Sequence, residues 1–404
     1  MRSKATQKIV ALILLTSFCL VGCWDLEEIT SLAPVAAIGI DLGSEPGHIR
    51  VSVQLTLAAK GQSSTGSPAS NRLRVITAEG ESLVSAFAMM QSRTRRRHFF
   101  LHLGYIVFGA DLARSGLGAV TAGMQGWPQI RGSTLVFVAQ DTAEAVLHAH
   151  SGIGGNPGDD ISDIIRNVST TPVARKMTLN DMVNALTPAG STTLTLPILG
   201  LTPLALSSAD ETPATGVGQE GEQFMEIYLS GTALFDRDRW VAELDVRETQ
   251  TLVALLGEAK QGVSTMPNPV NPQGKIAPRY EKIHPSHKVQ QTNGQLQVHT
   301  LIKVEVRLTE IQGGYDPQTQ GTDPIKAAVE ADIRRRVEDL FAKLQDLGLD
   351  SVNIGSRIHK QNPKLWREIE SDWLNIYPTV EFLVEARATV RTLGLFKSFA
   401  ILGQ

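Results

Sequence analysis

A chain of 404 residues, 42% hydrophobic and 20% charged, has length for two or three domains and aliphatic content for a core in each. Its formal net charge of −3, scattered along the sequence, disfavours nucleic acid as a partner, because phosphate binding needs a concentrated basic face. Both cysteines, Cys19 and Cys23, fall at the very start of the chain.

The N-terminus reads as an export signal. Arg2, Lys4 and Lys8 form a positive region, and Ile9 to Leu20 form an apolar run broken only by Thr16 and Ser17, too short to span a bilayer as a helix. Leu20-Val21-Gly22-Cys23 resembles the bacterial lipobox, in which the cysteine sulfur receives a diacylglyceryl group and the chain is cut before it. That chemistry needs a thiol nucleophile and a small neighbour. Residues 1–22 are then a signal peptide, Cys19 leaves with it, and Cys23 is the single thiol of a mature chain without a disulfide. Two acyl chains on one residue satisfy the requirement for stable anchoring. Removing three positive and no negative charges takes the net charge from −3 to −6. No later segment is apolar over a membrane-spanning length.

The mature chain opens with the apolar run Val35 to Ile40, a turn at Gly43 to Gly47, and a strand with one buried face, Ile49, Val51, Val53, Leu55 and Leu57. A Gly/Ser stretch, Gly61 to Ser70, precedes a helix over Ser82 to Met90, a strand over Phe99 to Phe108 and a short helix over Asp111 to Leu117. Gly132 to Ala139 reads as a strand, and Ala143 to His148 as a helix capped by Asp141. Helices are expected at Ile161 to Val168 and Leu179 to Leu186. Pro197, Pro203 and Pro213, with the Ser/Gly/Glu-rich segment, mark a linker at 206–223 that ends an N-terminal domain, 23–205.

A middle unit, 224–280, holds a strand pair over Phe224 to Phe235 and a helix over Arg247 to Leu256. It ends in a loop with Pro267, Pro269, Pro272 and Pro278. The C-terminal unit, 281–404, has a hairpin turn at Asn293-Gly294 and an alternating strand from Leu296 to Leu308. Asp323 as cap and Pro324 at the first position open a long helix with the stripe Ile325, Val329, Ile333, Val337, Leu340, Leu344 and Leu347, closed by Gly348. A last strand runs from Val380 to Val390. The fold class expected is multi-domain α+β, with mixed or antiparallel sheets backed by helices.

Four stretches carry a family resemblance. They are Gly22-Cys23-Trp24-Asp25 with Ala37-Ile38-Gly39-Ile40-Asp41, then Leu101 to Gly109, then Gly231 to Phe235 with Trp240, and last Pro363, Trp366, Trp373 and the terminal strand. In order and spacing the chain resembles, nearly end to end, the Ger(x)C lipoproteins, the C subunits of bacterial spore germinant receptors. The resemblance implies three α+β domains and a lipid-anchored place on the outer face of the spore inner membrane. It also implies two integral-membrane partner subunits in a complex that responds to nutrient germinants, and it assigns no germinant-binding residue to this chain. The basic run Arg93-Thr94-Arg95-Arg96-Arg97 and the segment Thr212 to Gly221 depart from the family pattern.

No catalytic or metal constellation stands out, and no cofactor is expected beyond the covalent lipid on Cys23. His98 and His102 are four apart but lie in a stretch of strand character, where that spacing does not bring two ligands together. His102 reads as a hydrogen-bonded structural histidine. Gly152 to Gly158 lacks the spacing of a phosphate loop and no strand precedes it. Arg93, Arg95, Arg96 and Arg97 are either a solvated face or a contact to anionic headgroups. Trp366 and Trp373, seven apart, read as core residues. The expectation is a non-enzymatic receptor subunit; the alternatives are an extracytoplasmic solute-binding lipoprotein, without the two similar lobes such a protein needs, and an anchored envelope enzyme.

Overall fold

The computed structural model describes residues 31–57, 72–149, 161, 165, 168, 171–187, 193–203, 225–292, 294–315 and 317–393. β1 (Leu32–Leu42) and β2 (Ile49–Leu57) form an antiparallel hairpin with Ile40 opposite Val51, and β3 (Arg72–Gly80) pairs with β2. Strands and helices then alternate: α1 (Leu83–Ser92), β4 (Arg97–Phe99), β5 (Tyr105–Phe108), α2 (Ala110–Ser115), α3 (Gly118–Gln125), β6 (Leu135–Ala139), α4 (Ala143–His148), α5 (Leu179–Leu186) and β7 (Thr195–Pro203). β8 (Met225–Asp236) and β9 (Arg239–Leu244) complete a mixed sheet of order β3-β2-β1-β5-β6-β7-β8-β9, with β4 paired to the start of β1.

The strands from β1 through β5 and β6 to β7 are parallel, so their connections cross over and helices cover both faces. On one face Ile38, Ile106, Phe108 and Val136 pack against Leu83, Phe87 and Met90 of α1. On the other, Ala37, Tyr105, Val107 and Phe137 pack against Ala143, Val146 and Leu147 of α4. β2 is therefore covered on both sides, although its alternation predicts one buried face. Its buried Gln54 donates to the Leu147 carbonyl at 2.9 Å, and Ser52 pairs with Thr77 at 2.9 Å.

α6 (Val246–Leu256) leads to the second sheet. It has a capping box, Asp245 with Glu248, and ends at left-handed Gly257. β10 (Gly262–Val263), β11 (Met266–Pro267), β12 (Lys275–Thr292), β13 (Gln295–Ile311) and β14 (Glu381–Leu393) make this sheet. β12 and β13 form a long hairpin through Gly294, and β14 returns parallel to β13 after a helical crossover. The crossover contains α7 (Asp323–Asp346), α8 (Ile354–Gln361), α9 (Pro363–Ile369) and α10 (Trp373–Ile376). α7 lies on the sheet through Ile325, Val329, Val337, Leu340 and Leu344, and Phe341 stacks on Phe382 with ring centroids 3.9 Å apart.

The fold is multi-domain α+β with mixed sheets, but its boundaries differ from the composition-based ones. Residues on both sides of 206–223 belong to one sheet, because β7 pairs with β8 from Thr195↔Leu234 to Pro203↔Met225. The unit expected over 224–280 has no layer of its own: β8 and β9 extend the first sheet, while β10, β11 and β12 belong to the second. A break at 280/281 would cut β12. Pro278 sits at a register shift of that strand, and Pro285 lies beyond the part of β12 that pairs with β10 and β11, where β12 is an edge strand; both are places where a sheet tolerates proline.

Smaller corrections follow from local geometry. Strand character over Phe99–Phe108 resolves into β4 and β5 with a turn between them. Thr142, not Asp141, caps α4, accepting from the Ala145 N–H at 3.3 Å. Thr322 holds the cap position of α7, with Asp323 its first residue. Leu347 is exposed at the end of that helix, and Phe341 takes the buried place. Of the helix expected at Ile161 to Val168, only residues 161, 165 and 168 are described.

Candidate membrane-facing site

Leu20, Val21, Gly22 and Cys23 lie outside the described residues, which begin at Ser31. What the structure does place is the segment that meets the start of β1. β4 pairs in parallel with it, Leu32 opposite Arg97, Ala33 opposite His98 and Pro34 opposite Phe99. The basic run, some seventy residues downstream of Cys23 in sequence, is thereby set beside the first residues of β1.

Local bonds shape that run. α1 starts at Ser82, which forms a reciprocal capping box with Ser85, and ends at Arg93, whose N–H donates to the carbonyls of Met90 and Gln91. Thr94 Oγ1 donates to the Met90 carbonyl at 3.1 Å. Gln91 then brackets the loop: its Nε2 donates to the Arg96 carbonyl at 3.0 Å, and its Oε1 accepts from the His98 N–H at 3.2 Å. Arg93, Arg95 and Arg97 are exposed and Arg96 is half-buried.

The structural role read for His102 belongs instead to His98. His98 is the buried one, its Nε2 within 3.2 Å of Thr94 Oγ1, and burial lowers its pKa so that the neutral ring is favoured. His102 is exposed, with its ring 5.9 Å from that of Phe99. No cluster of three or more metal-ligating side chains occurs among the described residues.

The family-pattern motifs have structural explanations. Asp41 reaches the N-terminus of α4, accepting from the N–H of Ala143 at 2.7 Å and of Glu144 at 3.0 Å, a favourable place for a carboxylate although burial raises its pKa. Gly109 leaves room for that carboxylate, since a Cβ there would lie 1.9 Å from Asp41 Oδ1. Two motifs far apart in sequence thus meet at one helix terminus. Trp366 and Trp373 are buried, as their spacing suggests, edge to face at 5.6 Å against Gly355.

Sequence reasoning missed Asp350. It is buried and accepts from the N–H groups of Ile354 and Gly355 at 2.8 and 2.7 Å and from Trp373 Nε1 at 3.2 Å; burial pushes its carboxyl up to about 6. The usable signal was a short acid four residues ahead of an amphipathic helix.

This architecture is that of the crystal structure of the GerBC protein: the match covers 91% of this chain and 100% of that one, with a TM-score of 0.54 and 18% identity. The chain belongs to the GerAC/GerBC-type spore germination family, since residues 25–201 match the spore germination protein N-terminal domain and residues 230–394 match the spore germination B3/GerAC-like C-terminal domain. Among curated relatives in Bacillus subtilis (strain 168), it is 24% identical to YfkR, named as a spore germination protein, over 96% of this chain and 97% of that one. It is 23% identical to spore germination protein KC over 96% of each. The family division between 201 and 230 brackets the segment 206–223, while the first sheet continues across it.

Proposed function

We propose that this member of a spore germination family is the lipid-anchored C subunit of a nutrient germinant receptor. It is held by diacylglyceryl and acyl chains on Cys23 at the outer face of the spore inner membrane and assembles there with two integral-membrane subunits. The observation that carries the reading is positional: the family's N-terminal domain begins at residue 25, two residues after the cysteine of the lipobox. The anchor and the start of the family domain are close in sequence, so acylation tethers the folded body to the bilayer. Among the described residues no helix is long and apolar enough to cross a membrane, which suits attachment by lipid. The body's contribution is then contact with partners.

The test is deletion in a spore former lacking sibling receptors, scored for nutrient-triggered germination and for recovery of the two membrane subunits. Loss of the nutrient response, with intact response to a non-nutrient trigger, is the expected result. Normal nutrient germination would sink the proposal.

A further inference from the structure

We propose that the outer face of α1 and the arginine run that follows it form a docking surface for an anionic lipid bilayer. The orientation given to this surface rests on the anchored reading above; the binding chemistry does not.

Charge is the first argument. Between Glu81 and Asp111 the sequence has four arginines and no carboxylate, in a chain whose net charge is negative. Arg93, Arg95 and Arg96 make no ion pair among the described residues, and no carboxylate lies near them in sequence. Unpaired guanidinium groups on one short segment attract phosphate headgroups without first giving up an internal partner.

Apolar exposure is the second. Val84 is 65% exposed and Met89 47% exposed on α1, and Leu101, just beyond β4, is 37% exposed. Val84, Ala88, Met89 and Arg93 are exposed, spread over the uncovered side of the helix, while Leu83, Phe87 and Met90 face the core. Exposed apolar side chains beside arginines suit a headgroup boundary, where the former meet the apolar side of the interface and the latter the phosphates.

Placement is the third. Leu32, opposite Arg97, is nine residues beyond Cys23, a reach of no more than about 32 Å of extended chain. A tethered protein needs only weak added contact, because the anchor makes the second binding event intramolecular. The surface therefore fixes how the body lies on the membrane, and the Gln91 bracket presents its arginines from a held loop.

The experiment uses residues 24–404, which retain every described residue but lack Cys23. Co-sedimentation is measured with vesicles of phosphatidylcholine alone and of equal parts phosphatidylcholine and phosphatidylglycerol. Binding is expected only to the mixed vesicles, weakening as salt is raised. The triple variant Arg93→Gln, Arg95→Gln, Arg96→Gln should lose affinity by roughly a hundred-fold, on the order of five-fold per arginine. The matching triple Lys variant keeps the charge and should bind, which separates lost charge from lost folding. Equal binding to both vesicle types, no binding to either (as for a surface that meets an acidic protein partner), or a Gln variant that binds like its parent would each overturn the proposal. None of these results bears on lipidation of Cys23, so the anchor can stand or fall separately.

Discussion

At the residue scale, the tightest contacts are at glycines and buried polar groups. Gly231 has φ of 147°, and a Cβ there would lie 2.1 Å from the Leu244 carbonyl oxygen, a backbone atom that cannot swing aside. Gly231→Ala should cost about 2–4 kcal/mol, combining backbone strain with displacement of the β9–α6 junction, measurable by urea unfolding. His287 offers a pH test. Its Nε2 donates to the Leu255 carbonyl at 3.0 Å and its Nδ1 lies 3.0 Å from Thr300 Oγ1; burial outweighs the bond to the carbonyl and pushes its pKa down to about 4 from 6.5, so the neutral ring is favoured. Below 6.5 the unfolded chain takes up a proton that the folded ring refuses. The stabilisation is complete above pH 6.5 and lost as pH falls through 4, about 3 kcal/mol over that window. Asp350, raised from 3.8 to about 6, works the other way, with stability falling as pH rises across its window. The useful quantity is therefore a difference: between pH 7 and pH 4 the parent should lose about 3 kcal/mol more than His287→Gln.

Among the elements, α7 and its strand partners show what was legible. The stripe from Ile325 to Leu344 has a helical period, and the uncovered alternatives in that stretch are polar, so the helix could be read directly from the sequence. Phe341, four residues beyond Val337 on the same period, was not read as part of the stripe, but its ring stacks on Phe382 in the core of the second sheet. Phe341→Ala should cost about 3–5 kcal/mol in thermal or denaturant unfolding. Strand direction was not legible. The alternation in Val380–Val390 is the same whether β14 runs with β13 or against it, and only the crossover through α7 makes the pair parallel. The same limit hid β4: three residues of strand, RHF, have no period to detect, and the pairing with Leu32–Pro34 exists only in three dimensions. Pro278 misled because a proline at a bulge looks, in sequence, like a proline in a loop.

For the whole molecule, the two sheets are joined through residues 234–256, inside the stretch that the sequence reading set apart as a middle unit. Leu234 and Leu244 of the first sheet and Leu252 and Leu255 of α6 lie in the core of the second half, and Lys343 of α7 pairs with Glu248 of α6 at 2.8 Å. A fragment ending at 205 would leave the edge of β7 unpaired and remove Ala233, Phe235 and Trp240 from the first core. Such a fragment should aggregate on size-exclusion chromatography, while one extended to 258 keeps β8, β9 and α6 and should elute closer to a monomer. The chain belongs to its family through residues that build this body, whereas the proposed attachment rests on the four residues Leu20 to Cys23 ahead of it. Mass spectrometry of the N-terminal peptide of the protein isolated from spores tests that attachment most directly. The peptide should begin at Cys23 and have a mass increased by a diacylglyceryl group; a free thiol at Cys23, or a chain that still includes Gly22, would contradict the account.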